Sequence, residues 1–252
     1  MDLIQTVFVR NNLIVAFALI GVTIWISYYL AEKLTRGRIH GSAIAIALGL
    51  LAAYFGGIAS GGSTGVADIA MLGGIGLMGG GMMRDFAIVA TAFGVHLNEL
   101  KKAGVAGVIS IFAGVIVSFI VGAGISVMFG YTDPADITTI GAGAVTYIVG
   151  PVTGEAVGAS NEVITLSVAA GLVKSILVMI GTPLVARTIG LDNPQSAMVF
   201  GGLMGTTSGV AAGLAATDPK LVPYGAMTAT FYTGVGCLLG PSILFFIVNA
   251  MF

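Results

Sequence analysis

Polar residues able to hold a small charged solute gather at three glycine-rich places in an otherwise apolar chain. The densest spans residues 201–213, GGLMGTTSGVAAG. Thr206, Thr207 and Ser208 stand side by side there, with Gly201, Gly202, Gly205, Gly209 and Gly213 around them. Glycine weakens a helix and permits close backbone approach. Hydroxyls inside a membrane segment need partners, because bulk water is absent. A break here frees backbone N–H and C=O groups for a solute and an ion, as in the midplane sites of many secondary transporters. The competing picture is an unbroken helix packed on a neighbour, its hydroxyls bonded to carbonyls four residues back.

The second place, residues 150–162, reads GPVTGEAVGASNE. Pro151 removes a backbone donor and disfavours helical geometry at Gly150. This predicts a break that leaves Thr153, Glu155, Asn161 and Glu162 close together. In the third, near residues 73–85, six glycines are followed by Arg84 and Asp85. A charged pair within an apolar segment is expensive unless it pairs or faces water.

An anion held inside a membrane wants backbone N–H groups at half-helix N-termini, hydroxyl donors and a cation. Thr153, Thr206, Thr207 and Ser208 supply donors, with Gly205 and Gly209 opening the backbone between them. Arg84 and Lys174 are the candidate cations. A sodium ion wants carbonyl, hydroxyl, amide and carboxylate oxygens, and Glu155, Asn161, Glu162 and Asp85 offer them. Duller roles compete. Arg84 and Asp85 form a local ion pair at a membrane surface, Lys174 snorkels or pairs with Glu155 or Glu162, and Glu162 opens a helix capped by Ser160 or Asn161. No zinc spacing, phosphate loop or nucleophile elbow occurs, so neither an enzyme nor a resident cofactor is expected.

The elements that position these groups are helices in a bilayer. Of 252 residues, 57% are hydrophobic and 8% charged, against about 25% charged in soluble domains. Mean hydropathy is +1.05. A net charge of −1 offers no basic surface to nucleic acid, and the lone Cys237 excludes an internal disulfide. Apolar runs predict helices over 12–30, 41–59, 103–129, 163–186 and 222–250. Interrupted segments are expected at 66–97, 137–162 and 196–217. The fold class expected is an all-α polytopic membrane protein of about eight segments in two related halves, with broken or re-entrant helices. Lys33, Arg36 and Arg38 mark a cytoplasmic loop, which puts the N-terminus outside. The first apolar run is expected to stay as an uncleaved helix.

Gly76-Leu77-Met78-Gly79 recurs as Gly202-Leu203-Met204-Gly205, an offset of 126 residues, half the chain. This suggests two membrane repeats, residues 1–126 and 127–252. Eight full spans make the halves parallel. Re-entrant third and seventh segments make them inverted.

Residues 150–162 followed by GGLMGTTSGVAAGLAATDP at 201–219 resemble the larger (M) subunit of bacterial malonate/sodium symporters, essentially over the whole chain. The resemblance implies sodium-coupled malonate uptake at the bacterial inner membrane and a required second subunit, the small L protein. The same stretches are more distantly similar to LrgB-type membrane proteins and plastid glycolate/glycerate carriers. That parallel points to Thr153, Thr206, Thr207 and Ser208. Gly209 stands where the LrgB pattern has a histidine, so that histidine's role does not transfer. A proton-coupled carrier of another small carboxylate and a non-transporting holin-like or regulatory protein are the alternatives.

Overall fold

A computed structural model of the chain describes residues 3–35, 41–62, 65–77 and 104–252. They fall in two compact units, Met1–Gly94 and Val95–Phe252. The third glycine-rich place reaches its Arg84 and Asp85 outside the described residues, as do Arg36 and Arg38. Among the described residues, four helical stretches are long and apolar enough to cross a membrane: Asn12–Leu34, Gly104–Met128, Asn161–Val185 and Pro219–Met251. The chain is an all-α membrane protein. Its outward side chains are large and apolar, among them Ile109, Ile120, Leu238 and Phe246, as lipid contact requires.

Among its described residues the first unit holds α1 (Leu3–Arg10), α2 (Asn12–Thr35), α3 (Gly41–Ser60), two 3-10 turns at Gly65–Asp68 and Ala70–Leu72, and the one-turn α4 (Gly74–Leu77). The helix expected over 12–30 runs on to Thr35, because Glu32 and Lys33 are good helix formers once past the apolar stretch. Trp25 and Tyr29 stack with ring centroids 6.3 Å apart, an aromatic pair suited to the headgroup level.

Among its described residues the second unit opens with α5 (Gly104–Met128). Ser110, Gly114, Ser118, Gly122 and Ser126 recur every fourth residue and form one small-residue stripe. Such stripes let membrane helices approach closely. Here Gly114 meets the backbone of Gly202 and Leu203, and Gly122 meets Ala144 and Gly141.

Next come two broken pairs. The first is α6 (Pro134–Val145) and α7 (Val149–Val157). Asp133 caps α6 by accepting from Ala135 N–H at 2.8 Å, with Pro134 in the first turn. The discontinuity lies at residues 146–148, ahead of the place that Pro151 suggested. Pro151 sits in the first turn of α7 instead, where its missing N–H removes no intrahelical bond. Thr146 is extended, and its Oγ1 accepts from Ile148 N–H at 3.2 Å and Val149 N–H at 3.1 Å. A second interruption follows at Gly158, which is left-handed at φ 79° and lets Ala159 N–H reach Gly154 O at 2.9 Å. Ser160 then caps α8 (Asn161–Val185) through Val163 N–H at 3.3 Å. The expected break over 150–162 therefore resolves into a true break before it and a turn within it.

The second broken pair is α9 (Pro194–Met204) and α10 (Thr207–Ala215). Its break falls at Gly205 and Thr206, inside the 201–213 stretch, as the glycine and hydroxyl pattern predicts. A short 3-10 turn, Pro219–Leu221, leads into α11 (Val222–Leu239), a π turn at Gly240–Leu244, and α12 (Phe245–Met251). Pro241 explains the π turn, since a residue without N–H favours a shifted hydrogen-bond register. Phe245 N–H accordingly reaches Gly240 O, five residues back.

Candidate substrate and ion site

Both breaks are seated on one face of α8. Gly171, Lys174 and Ser175 stand at i, i+3 and i+4 and so share that face. Gly171 lies against the backbone of Tyr147 in the first break. One turn on, about 6 Å along the axis, Ser175 Oγ is hydrogen-bonded to Thr206 Oγ1 in the second. The breaks also approach each other directly, with Tyr147 Oη and Ser208 Oγ 3.5 Å apart.

Each break begins a new helix, and the first N–H groups of a helix have no partner within it. In α10, Gly209 N–H goes to Thr206 Oγ1 at 3.4 Å and Val210 N–H to Thr206 O at 2.8 Å. The amides of Thr207 and Ser208 remain, beside their own half-buried hydroxyls. In α7, Thr146 takes the Ile148, Val149 and Gly150 amides. Each helix start carries roughly half a positive charge. The start of α10, with its free amides and hydroxyls, suits a small anion better than a neutral solute, and the start of α7 adds its positive end without a free amide.

Lys174 lies between the two contacts. Its Nζ donates to Ser118 Oγ at 2.9 Å, Val145 O at 2.9 Å and Tyr232 Oη at 3.0 Å. An ammonium has three N–H donors, so all three are engaged. Val145 ends α6, and a cation there suits the negative helix end. Tyr232 is fully buried and ties the cluster together. Its hydroxyl donates toward Gly114 O at 3.2 Å or Ser118 Oγ at 3.0 Å, and its ring lies under Gly205. Gly205 has φ 72° and no room for a side chain, so both its conformation and its contact demand glycine. Lys174 and Ser118 also line a cavity of about 1650 Å³ whose wall is otherwise mainly apolar, with Asn193, Gln195 and Ser196 as further polar lining.

Of the candidates drawn from sequence, Gly205, Thr206, Thr207, Ser208, Gly209 and Lys174 come together around α8. Gly209 fits between Thr206 and the Ser175 carbonyl. Thr153 is fully buried and abuts Gly240, and its Oγ1 has no hydrogen-bond partner among the described residues. Glu155, Asn161 and Glu162 are exposed around the α7–α8 turn. Glu162 precedes Lys174 by more than three turns, about 18 Å along α8, so the two do not pair. Arg84 and Asp85 lie outside the described residues. Tyr147, Ser118, Ser175 and Tyr232 were not singled out from sequence, yet they complete the cluster.

Thr206 is a cap inside the membrane, so its loss should be felt. Thr206→Ala is expected to cost about 1 kcal/mol as a lost cap and a further 1–3 kcal/mol for the Ser175 hydroxyl left unpaired. Thermal unfolding in detergent, compared with Thr230→Ala on a half-buried position of α11, checks this. Equal melting of the two variants would remove Thr206 from the role of cap.

The family described as malonate/sodium symporter MadM subunit matches residues 4–252. No curated protein and no solved structure matches the chain. With a match over nearly its whole length, the chain belongs to the malonate/sodium symporter MadM subunit family.

Proposed function

We propose that this symporter subunit itself holds malonate, at the facing N-termini of α7 and α10, and moves it by alternating access coupled to sodium. The observation that carries the reading is the approach of the two breaks, Tyr147 to Ser208, over a single turn of α8. Malonate has two carboxylates: the free amides of α10 can meet one, and the positive end of α7 lies beside it. Thr207 and Ser208 supply amide and hydroxyl donors, while Gly205, Thr206 and Gly209 shape the cup. Carrying a dianion into a negative interior is uphill by about 2.3 kcal/mol per charge per 100 mV. Co-transported sodium offsets that cost. The small L-type subunit is the required partner, the bacterial inner membrane is the setting, and the basic loop after α2 faces the cytoplasm.

Uptake of labelled malonate into proteoliposomes tests this, with and without the small partner, in sodium and in potassium buffer. Saturable uptake that needs both subunits and sodium is the expected result. Equal uptake driven by a proton gradient in potassium would refute sodium coupling. Absence of flux from folded, assembled protein would refute transport.

A further inference from the structure

Lys174 brings a positive charge into the membrane-spanning part of the protein and surrounds it with uncharged oxygens. Its three acceptors come from three other elements: Ser118 on α5, the Val145 carbonyl at the end of α6, and Tyr232 on α11. Tyr232 has its own proton directed to Gly114 O or Ser118 Oγ, so a lone pair is left for the lysine. A carbonyl and two hydroxyls converging on one point are a hard-oxygen set of the kind an alkali cation takes. In this conformation the ammonium fills that set. The cage is not sealed, because Ser118 and Lys174 line the cavity that also includes Asn193, Gln195 and Ser196.

We propose that the cage of Ser118, Val145 O and Tyr232 is a sodium site which Lys174 occupies with its own charge when substrate is absent. A sodium ion entering the cage replaces one positive charge by another, so the field at the end of α6 is preserved. The displaced ammonium regains three free N–H donors beside both breaks, where they can grip a malonate carboxylate. Sodium therefore favours malonate, and malonate, by holding Lys174 out, favours sodium. Linkage requires the two effects to be equal. The idea rests on the symport reading and supplies its coupling device. Among the described residues Lys174 pairs with neutral groups, which suits the exchange, since an adjacent carboxylate would hold it in place.

Titration calorimetry on the assembled symporter separates the two ideas. Sodium chloride and malonate are titrated alone and each in the presence of the other. In the native protein, saturating sodium is expected to tighten malonate at least tenfold. In Lys174→Gln, sodium should bind without malonate, at least tenfold tighter than to the native protein, and the malonate affinity should no longer respond to sodium. Ser118→Ala retains the lysine and removes one oxygen, so it should weaken sodium several-fold both alone and on the Lys174→Gln background. A Lys174→Gln protein with the native coupling ratio would overturn the exchange while leaving symport intact. Sodium binding indifferent to Ser118→Ala on both backgrounds would overturn the cage as its site. Native protein whose malonate affinity ignores sodium would sink the symport reading, and the exchange with it.

Discussion

Gly171→Val is expected to abolish malonate uptake and to destabilise the protein by about 3 kcal/mol or more, the upper range for overpacking a closed site. The reason is what stands opposite. A Cβ at Gly171 would lie 2.5 Å from Tyr147 Cα and 2.8 Å from Gly143 O, and closer still to Tyr147 N. All three are backbone atoms, which cannot swing aside as a flexible side chain can. Nor can the segment withdraw as a whole. Thr146 is tied to the start of α7, and Val145 O is held by Lys174. Alanine already creates the clash, and valine adds two methyl groups to it. Gly181→Ala, on the same helix, is the control, because a Cβ there meets nothing within 4 Å. That change should be neutral or stabilising by up to about 1 kcal/mol through helix propensity. Thermal unfolding and uptake measured together check the pair, and equal melting of Gly171→Ala and Gly181→Ala would show that α8 does not seat the first break.

The second large effect should come from a substitution that leaves the fold sound. Ser208→Asp places a carboxylate in the first turn of α10, where the helix end favours negative charge by about 0.3–1 kcal/mol. The protein should therefore melt no lower than its parent. The new carboxylate, however, sits where a substrate carboxylate is proposed to bind, so malonate affinity and uptake should fall at least a hundredfold. Ser208→Ala and Thr207→Ala keep the backbone amides and lose only a hydroxyl each. They should weaken malonate several-fold, near the 0.5–1.5 kcal/mol of a single hydrogen bond. Calorimetry with malonate distinguishes these outcomes. Unchanged affinity in all three variants would move the substrate away from α10.

The sequence carried the long helices well. The span expected over 41–59 is α3, Gly41–Ser60, and that over 103–129 is α5, Gly104–Met128. Long apolar runs bounded by polar turns leave little freedom. The second break was also legible, since Gly205 and the adjoining hydroxyls serve both its left-handed turn and its cap. The first was displaced because proline marks two different events. It can end a helix, or it can occupy the first turn of a new one, and Pro151 does the latter. The site was legible where a residue is odd for its surroundings, as Lys174 is. Ser118, Ser175 and Tyr232 were hidden, because single hydroxyls in apolar helices usually satisfy themselves on their own backbone. The pointer to Ser118 was the four-residue rhythm Ser110, Gly114, Ser118, Gly122, Ser126, and Gly171-x-x-Lys174-Ser175 carries a similar one on α8. The two-repeat proposal, with its boundary near residue 126, rests on sequence similarity alone.

One consequence concerns chain length. Gly171 and Ser175 belong to different breaks, yet their relative angle is fixed by the winding of a single helix. One residue inserted between them would turn everything beyond by about 100°. Ser175 would leave Thr206, and Gly213 would lose the gap beside Thr182 into which it fits. No side-chain adjustment compensates for a rotation of that size. The same insertion between Arg187 and Gly190, in the exposed turn after α8, is absorbed by the loop. Homologues of this chain should therefore vary in length after α8 and hold the stretch from Gly171 to Thr182 to a fixed count of residues.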